Sequence, residues 1–246
     1  MSSSRCWCNL LLRLVVVLMA TYVISDIHGC YDEFMTMLRQ IQFSPADKMY
    51  VLGDIIDHGP DSAKLIKWFV NRKPINIELM LGNHEDMMYQ DTRGDYVNLM
   101  FDDVSTWAIN RGMKTRANII EGTTVDDRRR FFNMIAHSDV AKLIDVNGLQ
   151  YILVHAGLMM FDYRNLDDLL DHQTMFDMLW IRNEWLCDKH RLPCPVIFGH
   201  TATPMIMTSD MKNGSIGCAL NPANDQDGHI IKWQNKIAID CGAAYG

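Results

Sequence analysis

The sequence lacks paired cysteines. Its cysteine count of seven is odd, and no two of them form a Cys-x-x-Cys pair. A scattered odd set cannot complete a disulfide framework, and its spacing does not match that of a structural zinc site. We therefore predict reduced thiols and a cytoplasmic protein. The cysteines are Cys6, Cys8, Cys30, Cys187, Cys194, Cys218 and Cys241.

A long apolar run is also missing. The segment Leu10–Ala20 is interrupted by Arg13 and is too short to cross a bilayer, so we expect no stable membrane insertion. An export signal is the alternative interpretation of this segment. We expect Met19 to be the functional start and residues 1–19 to lie outside the fold. Because the rest contains no repeat and no Pro/Gly-rich linker, we expect residues 20–246 to form one domain.

The chain has no excess of basic residues. It carries 23 Lys and Arg against 30 Asp and Glu, a formal net charge of −7. Proteins that bind nucleic acids usually present a basic face to the phosphate backbone, so we expect no nucleic-acid partner. An acidic chain can still bind a phosphate ester if metal ions supply the positive charge.

Short apolar runs bounded by glycine or polar residues predict buried strands. Apolar residues at helical spacing predict helices over Asp32–Gln42 and Asp61–Asn71, and residues 86–145 and 165–190 look mainly helical. Strands that alternate with helices predict an α/β fold that starts with βαβ units. The predicted strands are Thr21–Ser25, Met49–Leu52, Ile77–Leu81, Tyr151–Val154, Val196–Phe198 and Ile237–Ile239.

Possible metal ligands follow each of the first five predicted strands. One histidine near a strand end is more often a structural residue, but five such strand ends on one rim would converge on a single site. Together they offer oxygen and nitrogen ligands without a thiolate, a set that suits Mn²⁺, Fe or Zn²⁺ in a two-metal site. We expect two divalent ions, with Mn²⁺ preferred. The candidate ligands are Asp26, His28, Asp54, Asn83, His155 and His200.

Five motifs in this order resemble the phosphoprotein phosphatase branch of the calcineurin-like metallophosphoesterases, and within it the serine/threonine phosphatases of bacteria and phages. They are DIHG at Asp26–Gly29, GDIIDHG at Gly53–Gly59, GNHE at Gly82–Glu85, HAG at His155–Gly157 and GHT at Gly199–Thr201. LWIRNEW at Leu179–Trp185 and IDCGAAYG at Ile239–Gly246 resemble further segments of that group. The resemblance implies a central β-sandwich with helices on both outer faces.

The resemblance also implies a role for each motif residue. His84 would act as the general acid, with Asp57 orienting it, while Arg182 and Asn83 would bind the substrate phosphate. The six candidate ligands would divide between two metals. Asp26 and His28 would bind the first, Asp54 would bridge both, and Asn83, His155 and His200 would bind the second.

His58 departs from the family pattern, which has arginine at this position. A protonated His58 could still bind phosphate, although with fewer donors than an arginine offers. The sequence leaves open whether its pKa is raised by a bound dianion and whether its ring faces the site at all. We include His58 among the candidate phosphate-binding residues.

These observations predict a metal-dependent enzyme that removes phosphate from phosphoserine or phosphothreonine in proteins, with a hydroxide activated by two metals. The alternative is a symmetrical dinucleoside tetraphosphate hydrolase, since those enzymes share the DIHG and GNH motifs. Asp57 favours the phosphatase, because in the hydrolases a small apolar residue is expected there. A degenerate, non-catalytic relative that binds phosphoproteins is the third alternative.

Overall fold

The computed structural model describes residues 19–71, 76–206 and 228–243. Its first three strands form a parallel sheet in the order β1-β2-β3. Helices α1 (Tyr31–Gln40) and α2 (Ser62–Asn71) connect them, which confirms the predicted βαβ units. The strands are β1 (Thr21–Ile24), β2 (Lys48–Val51) and β3 (Ile77–Leu79).

The second sheet of the described residues has five strands in the order β4-β5-β6-β8-β7. Its central strands β5, β6 and β8 run parallel, and the edge strands β4 and β7 pair antiparallel with their neighbours. The strands are β4 (Ala141–Val146), β5 (Leu149–Val154), β6 (Val196–Phe198), β7 (Ile231–Trp233) and β8 (Lys236–Ala238).

The prediction that residues 86–145 are mainly helical is wrong in part. Helix α3 (Asn83–Asp91) ends early, and the segment from Thr92 to Ser105 contains no helix. At the far end, β4 forms a hairpin with β5 through Asn147 and Gly148, both of which have positive φ. Asn-Gly between two short runs is a strong hairpin signal. Charged residues in the edge strand β4 hid the alternation that would have identified it.

The remaining helices lie mostly after β3 and after β5. A π-helical turn, Ala108–Gly112, precedes the first of them. A single 3₁₀ turn, Thr203–Met205, follows β6. The helices are α4 (Met113–Gly122), α5 (Val125–Ala136), α6 (Leu166–Asp171), α7 (Met175–Trp180) and α8 (Asn183–Cys187).

The two sheets pack face to face, and helices cover their outer faces. The layer between the sheets contains Tyr50, Leu52 and Leu153. Helices α1, α2 and α5 pack on the outer face of the first sheet, and α6 and α8 pack on that of the second. Because β2 is buried on both faces, its residues form a nearly continuous apolar run. The β-sandwich flanked by helices is therefore confirmed.

No helix within the described ranges is both long and apolar enough to cross a membrane. Most of the segment Leu10–Ala20 lies outside those ranges, so the expected start at Met19 and the expected single domain over 20–246 stay predictions. The four cysteines that the structure describes, Cys30, Cys187, Cys194 and Cys241, are free thiols.

Gly53 marks the place where the loops after β2 and β3 touch. Its φ is +92°, and a Cβ there would overlap the backbone of Leu81 and Gly82. We therefore expect Gly53→Ala to combine backbone strain with a steric clash and to cost about 2–6 kcal/mol of unfolding free energy. Urea unfolding monitored by circular dichroism measures this loss.

Gly148→Ala is the matched control. Gly148 also has a positive φ of +81°, but a Cβ there would meet no atom within 4 Å. Only the backbone cost of about 1–2 kcal/mol is expected. Equal losses in the two variants would show that the contact between the loops does not constrain the fold.

Candidate metal centre

The carboxyl ends of the strands bring the predicted ligands together. Asp26 and Asp54 follow β1 and β2, Asn83 is the first residue of α3, and His155 and His200 follow β5 and β6. All six candidate ligands are at least nine-tenths buried. These residues contribute to two groups in which the potential ligand atoms all lie within 4.8 Å of one another. One group is Asp26, His28 and Asp54, and the other is Asp54, His155 and His200.

The backbone at this rim is unusual. Six non-glycine residues of the site have φ between +46° and +68°. Residues with side chains avoid this region, and each instance costs about 1–3 kcal/mol unless the surroundings impose it. Successive side chains of an extended strand point to opposite faces, whereas these strained turns direct neighbouring side chains toward the same metal-ligand cluster. These residues are Asp26, His28, Asp54, Asp57, His58 and His200.

One oxygen atom, Oδ2 of Asp54, lies at the centre of the site. Nε2 of His155 lies 3.5 Å from it, and Nε2 of His28 lies 3.6 Å from it. Nε2 of His84 is 3.9 Å away. Burial alone would raise the pKa of Asp54, but these three histidines lower it well below its usual range. Asp54 is therefore an anion that faces three imidazoles.

The tautomers of these histidines follow from their outer contacts. Nδ1 of His155 lies 2.7 Å from the carbonyl of Leu52, and Nδ1 of His28 lies 2.9 Å from that of Ile56. A carbonyl only accepts, so both Nδ1 atoms donate. In a neutral ring of this kind Nε2 carries no proton and presents a lone pair. Nε2 of His155 lies 2.8 Å from Oδ1 of Asn83, which is itself an acceptor. Acceptors held this close to one another are stabilised by a cation between them.

His200 completes the second group. Its Nδ1 lies 3.0 Å from the same Oδ1 of Asn83, and its backbone N–H donates to Asp26. Burial, His155 and Arg182 lower the pKa of His200, so its ring is neutral. Its Nε2 is buried and has no hydrogen-bond partner among the described residues, which is costly unless a ligand satisfies it. The residues present therefore fit two divalent cations, with Asp54 between them.

The predicted general acid has the orientation that its role requires. Nδ1 of His84 lies 2.6 Å from Oδ2 of Asp57, and Nε2 points into the metal-ligand cluster. Burial would lower the pKa of His84, but the charge of Asp54 and the hydrogen bond to Asp57 outweigh it and raise the pKa to about 9. His84 is thus protonated at neutral pH and can donate from Nε2.

Trp107 and Glu85 contribute to the site and were missed by sequence reasoning. The indole N–H of Trp107, a residue that composition alone would assign to the core, donates to both oxygens of Asp57 at 3.0 and 3.2 Å. Glu85 accepts from the backbone N–H groups of residues 54–56. Burial and the charge of Asp54 raise the pKa of Glu85. The glutamate of the GNHE motif could have indicated its role, whereas no local signal indicated that of Trp107.

Asp240 is a further buried acid beside the ligands. It follows β8, lines the same cavity as Asp26 and accepts from the N–H of Gly242. Burial and the charge of Asp26 raise the pKa of Asp240 well above its usual range. Asp240 lies in the segment IDCGAAYG at Ile239–Gly246, but the resemblance assigned no role to it.

Of the three predicted phosphate-binding residues, Asn83 lies among the metal ligands, whereas Arg182 and His58 lie at the edge of the site. Nη1 of Arg182 donates to the carbonyl of His200 at 3.0 Å and to Oγ1 of Thr201 at 2.8 Å, which positions the exposed guanidinium beside the metal ligands. The ring of His58 contacts those of His28 and His84. Burial and these two histidines lower the pKa of His58 to about 4. Without substrate His58 is neutral at pH 7 and carries no positive charge for a phosphate.

Comparison with known proteins agrees with this site. The family profile described as calcineurin-like phosphoesterase matches residues 19–224. The chain belongs to this family. Calcineurin-like phosphoesterases use two divalent metals, which the ligand cluster described above fits.

Among curated relatives, the symmetrical bis(5'-nucleosyl)-tetraphosphatase of Buchnera aphidicola is 43% identical over 68 residues, which is 27% of this chain and 24% of that protein. The enzyme of the same name from Erwinia tasmaniensis is 44% identical over the same shares. The match thus spans about a quarter of the length of these relatives.

Two solved structures share the fold. One, described as a putative diadenosine tetraphosphatase, has a TM-score of 0.57 and 17% identity over 93% of this chain and 90% of its own. A protein serine/threonine phosphatase from Saccharomyces cerevisiae has a TM-score of 0.50 and 15% identity over 90% of this chain and 70% of its own. The predicted superfamily is confirmed, and its phosphoprotein phosphatase branch stays a prediction.

Asp54→Asn and His84→Asn should fail in different ways. Asp54 faces both groups of ligand atoms, so its neutralisation should reduce metal content and turnover together. His84 is hydrogen-bonded to Asp57 and belongs to neither group. His84→Asn should therefore keep both metals and lose turnover by ~10²–10⁴-fold. Metal content by mass spectrometry and turnover of an alkyl phosphate, whose leaving alkoxide needs a proton, distinguish the two, and loss of a metal from His84→Asn would contradict the assignment.

Asp57→Asn should move the alkaline limb of the rate profile to lower pH. The Asp57 carboxylate raises the pKa of His84, so an amide there lowers that pKa and deprotonates the acid earlier as pH rises. We expect a shift of about 1–2 pH units in kcat, with a matching shift in the NMR titration of His84. Asp86→Asn is the control, because Asp86 lies on the same helix and binds Gln90 instead. Identical profiles for Asp57→Asn and wild type would refute the pairing.

Proposed function

We propose that the chain hydrolyses symmetrical dinucleoside tetraphosphates to two nucleoside diphosphates. The observation that carries the proposal is the 43–44% identity to enzymes named for this reaction, over 68 residues. The proposal prefers the alternative of the sequence analysis to its first choice, since no curated relative compared above is named as a protein phosphatase. Asp57 favours the first choice, a protein phosphatase, because a small apolar residue was expected at this position in a tetraphosphate hydrolase.

The site supports hydrolysis of a phosphate ester or anhydride. When bound, two divalent cations supply positive charge to phosphate oxygens and lower the pKa of a water molecule. We propose Mn²⁺ for both, because the ligands are carboxylates, an amide and imidazoles. Such a water, after its proton has passed to solvent, would attack phosphorus as hydroxide, and the bridging P–O bond would break. The leaving oxygen would take a proton from Nε2 of His84, which solvent would then reprotonate. Arg182 lies where its guanidinium can bind a phosphate oxygen that projects from the cluster.

A second candidate function is dephosphorylation of phosphoserine or phosphothreonine in proteins. The buried hydrogen bond between His84 and Asp57 favours it. An alkoxide is a poor leaving group and needs a proton donor, whereas a nucleoside diphosphate leaves as a stable anion. A hydrolase acting only on tetraphosphates would depend much less on this pair. The intact ligand set speaks against the third alternative, a non-catalytic binding protein.

A substrate panel separates these functions. With Mn²⁺ we expect diadenosine tetraphosphate to give ADP as the only nucleotide product by ion-exchange chromatography, with a kcat/KM well above that for phosphoserine and phosphothreonine peptides. His84→Asn should lose less turnover on the tetraphosphate than on the peptides, because the diphosphate leaving group needs less protonation. Faster turnover of the peptides would favour the phosphatase. Products ATP and AMP would rule out symmetrical cleavage.

A further inference from the structure

Three histidine rings enclose a small space beside the predicted metal pair. The ring centroids of His28, His58 and His84 lie 4.6, 4.9 and 5.1 Å apart, and each pair meets edge to face. One nitrogen atom of each ring lies within 4.8 Å of the other two. The three rings come from different segments, the loops after β1 and β2 and the start of α3. Three imidazole nitrogens at this spacing can bind one ion.

Two of the three rings already have the arrangement of metal-bound histidines. Nδ1 of His28 donates to the carbonyl of Ile56 at 2.9 Å, and Nδ1 of His84 lies 2.6 Å from a carboxylate oxygen of Asp57. A histidine that binds metal through Nε2 usually donates its other N–H to a carbonyl or carboxylate in this way. The outer contacts hold both Nε2 atoms toward the space that His58 borders.

The residue at position 58 decides whether this space can bind a cation. An arginine, as in the family motif, is permanently charged and would repel a metal ion. A histidine supplies a third nitrogen ligand instead. We propose that His28, His58 and His84 form a binding site for a borderline divalent cation such as Zn²⁺, an alternative to the Asp26, His28 and Asp54 position.

The two positions exclude each other because His28 is common to both and has one Nε2 lone pair. Mn²⁺ prefers oxygen ligands, so it favours the position with the carboxylates of Asp26 and Asp54. Zn²⁺ readily takes three imidazoles. A Zn²⁺ ion in the three-histidine site also binds Nε2 of His84, which can then no longer carry the proton for the leaving group. Zn²⁺ therefore inhibits the Mn²⁺-loaded protein, a consequence that rests on the proposed function, whereas the binding itself does not.

Calorimetric titration of Zn²⁺ into the Mn²⁺-saturated protein tests the site directly. Zn²⁺ can also replace Mn²⁺ at the carboxylate positions, so the comparison with His58→Asn isolates the contribution of His58. Asparagine is neutral and tolerates the positive φ of +57° at this position. We expect the variant to bind Zn²⁺ more weakly by on the order of 10–100-fold. His58→Arg should lose at least as much, because its charge repels the ion.

His137→Asn is the matched control, since His137 is exposed and its Nδ1 lies 2.8 Å from the carbonyl of Asn133, one helical turn earlier. It should bind Zn²⁺ like the wild type. Melting temperatures of all variants check that each is folded. Unchanged Zn²⁺ affinity in folded His58→Asn overturns the proposal.

Inhibition provides an independent measurement. The rate of each variant is compared with its own uninhibited Mn²⁺-dependent rate. The Zn²⁺ concentration that halves this rate should rise in His58→Asn by the same factor as the dissociation constant for Zn²⁺. Equal sensitivity of wild type and variant to Zn²⁺ overturns the inhibitory role. Binding of Zn²⁺ that depends on His58, in a protein that hydrolyses no compound of the panel, supports the site and removes the proposed function.

Discussion

The buried carboxylate of Asp54 sets the conditions for the rest of the site. Its Oδ2 faces the Nε2 atoms of three histidines at 3.5 to 3.9 Å, among side chains that are almost fully buried. An isolated anion in such a place is very costly, so it persists only with cations or hydrogen-bond donors around it. The backbone N–H of His84 supplies one donor at 3.0 Å, and the protonated ring of His84 adds a positive charge 3.9 Å from Oδ2. Metal binding and the packing of the two sheets are thus coupled through one residue.

The same requirement explains the strained backbone. The ligands come from both sheets, so the turns after the strands must direct polar side chains into the rim where the sheets meet. Glu85 holds one of these turns by accepting from three consecutive backbone N–H groups, and Gly53 allows it to approach the loop after β3. The strain of the positive φ angles is balanced by these contacts and, in the loaded protein, by the metals. Substitutions beneath the ligands should therefore affect metal affinity as well as stability.

The strands and the ligands were accessible from the sequence because each combines a local pattern with a distinctive residue type. A short apolar run followed by Asp or His gives both the strand and its functional end. Trp107 was not accessible, since its bond to Asp57 joins residues 50 positions apart and no local pattern encodes it. The edge strand β4 was obscured by its charged residues Lys142 and Asp145, although Asn147 and Gly148 marked its turn. Long-range side-chain contacts are the part of the site that one sequence does not reveal.

The pairing of His84 with Asp57 does not by itself identify the substrate. A protonated imidazole accelerates any reaction whose leaving oxygen is basic, and it remains harmless when the leaving group is a stable anion. Selection between a protein and a dinucleotide must then depend on what lies around the cluster. Arg182 can bind a phosphate of either, but a neutral His58 adds no charge for the additional phosphates of a tetraphosphate. Among the described residues, Arg182 and Arg111, whose charge helps to lower the pKa of His58, lie near enough to join the metals in binding those phosphates. Binding of a longer substrate would therefore depend on metal affinity together with these two arginines.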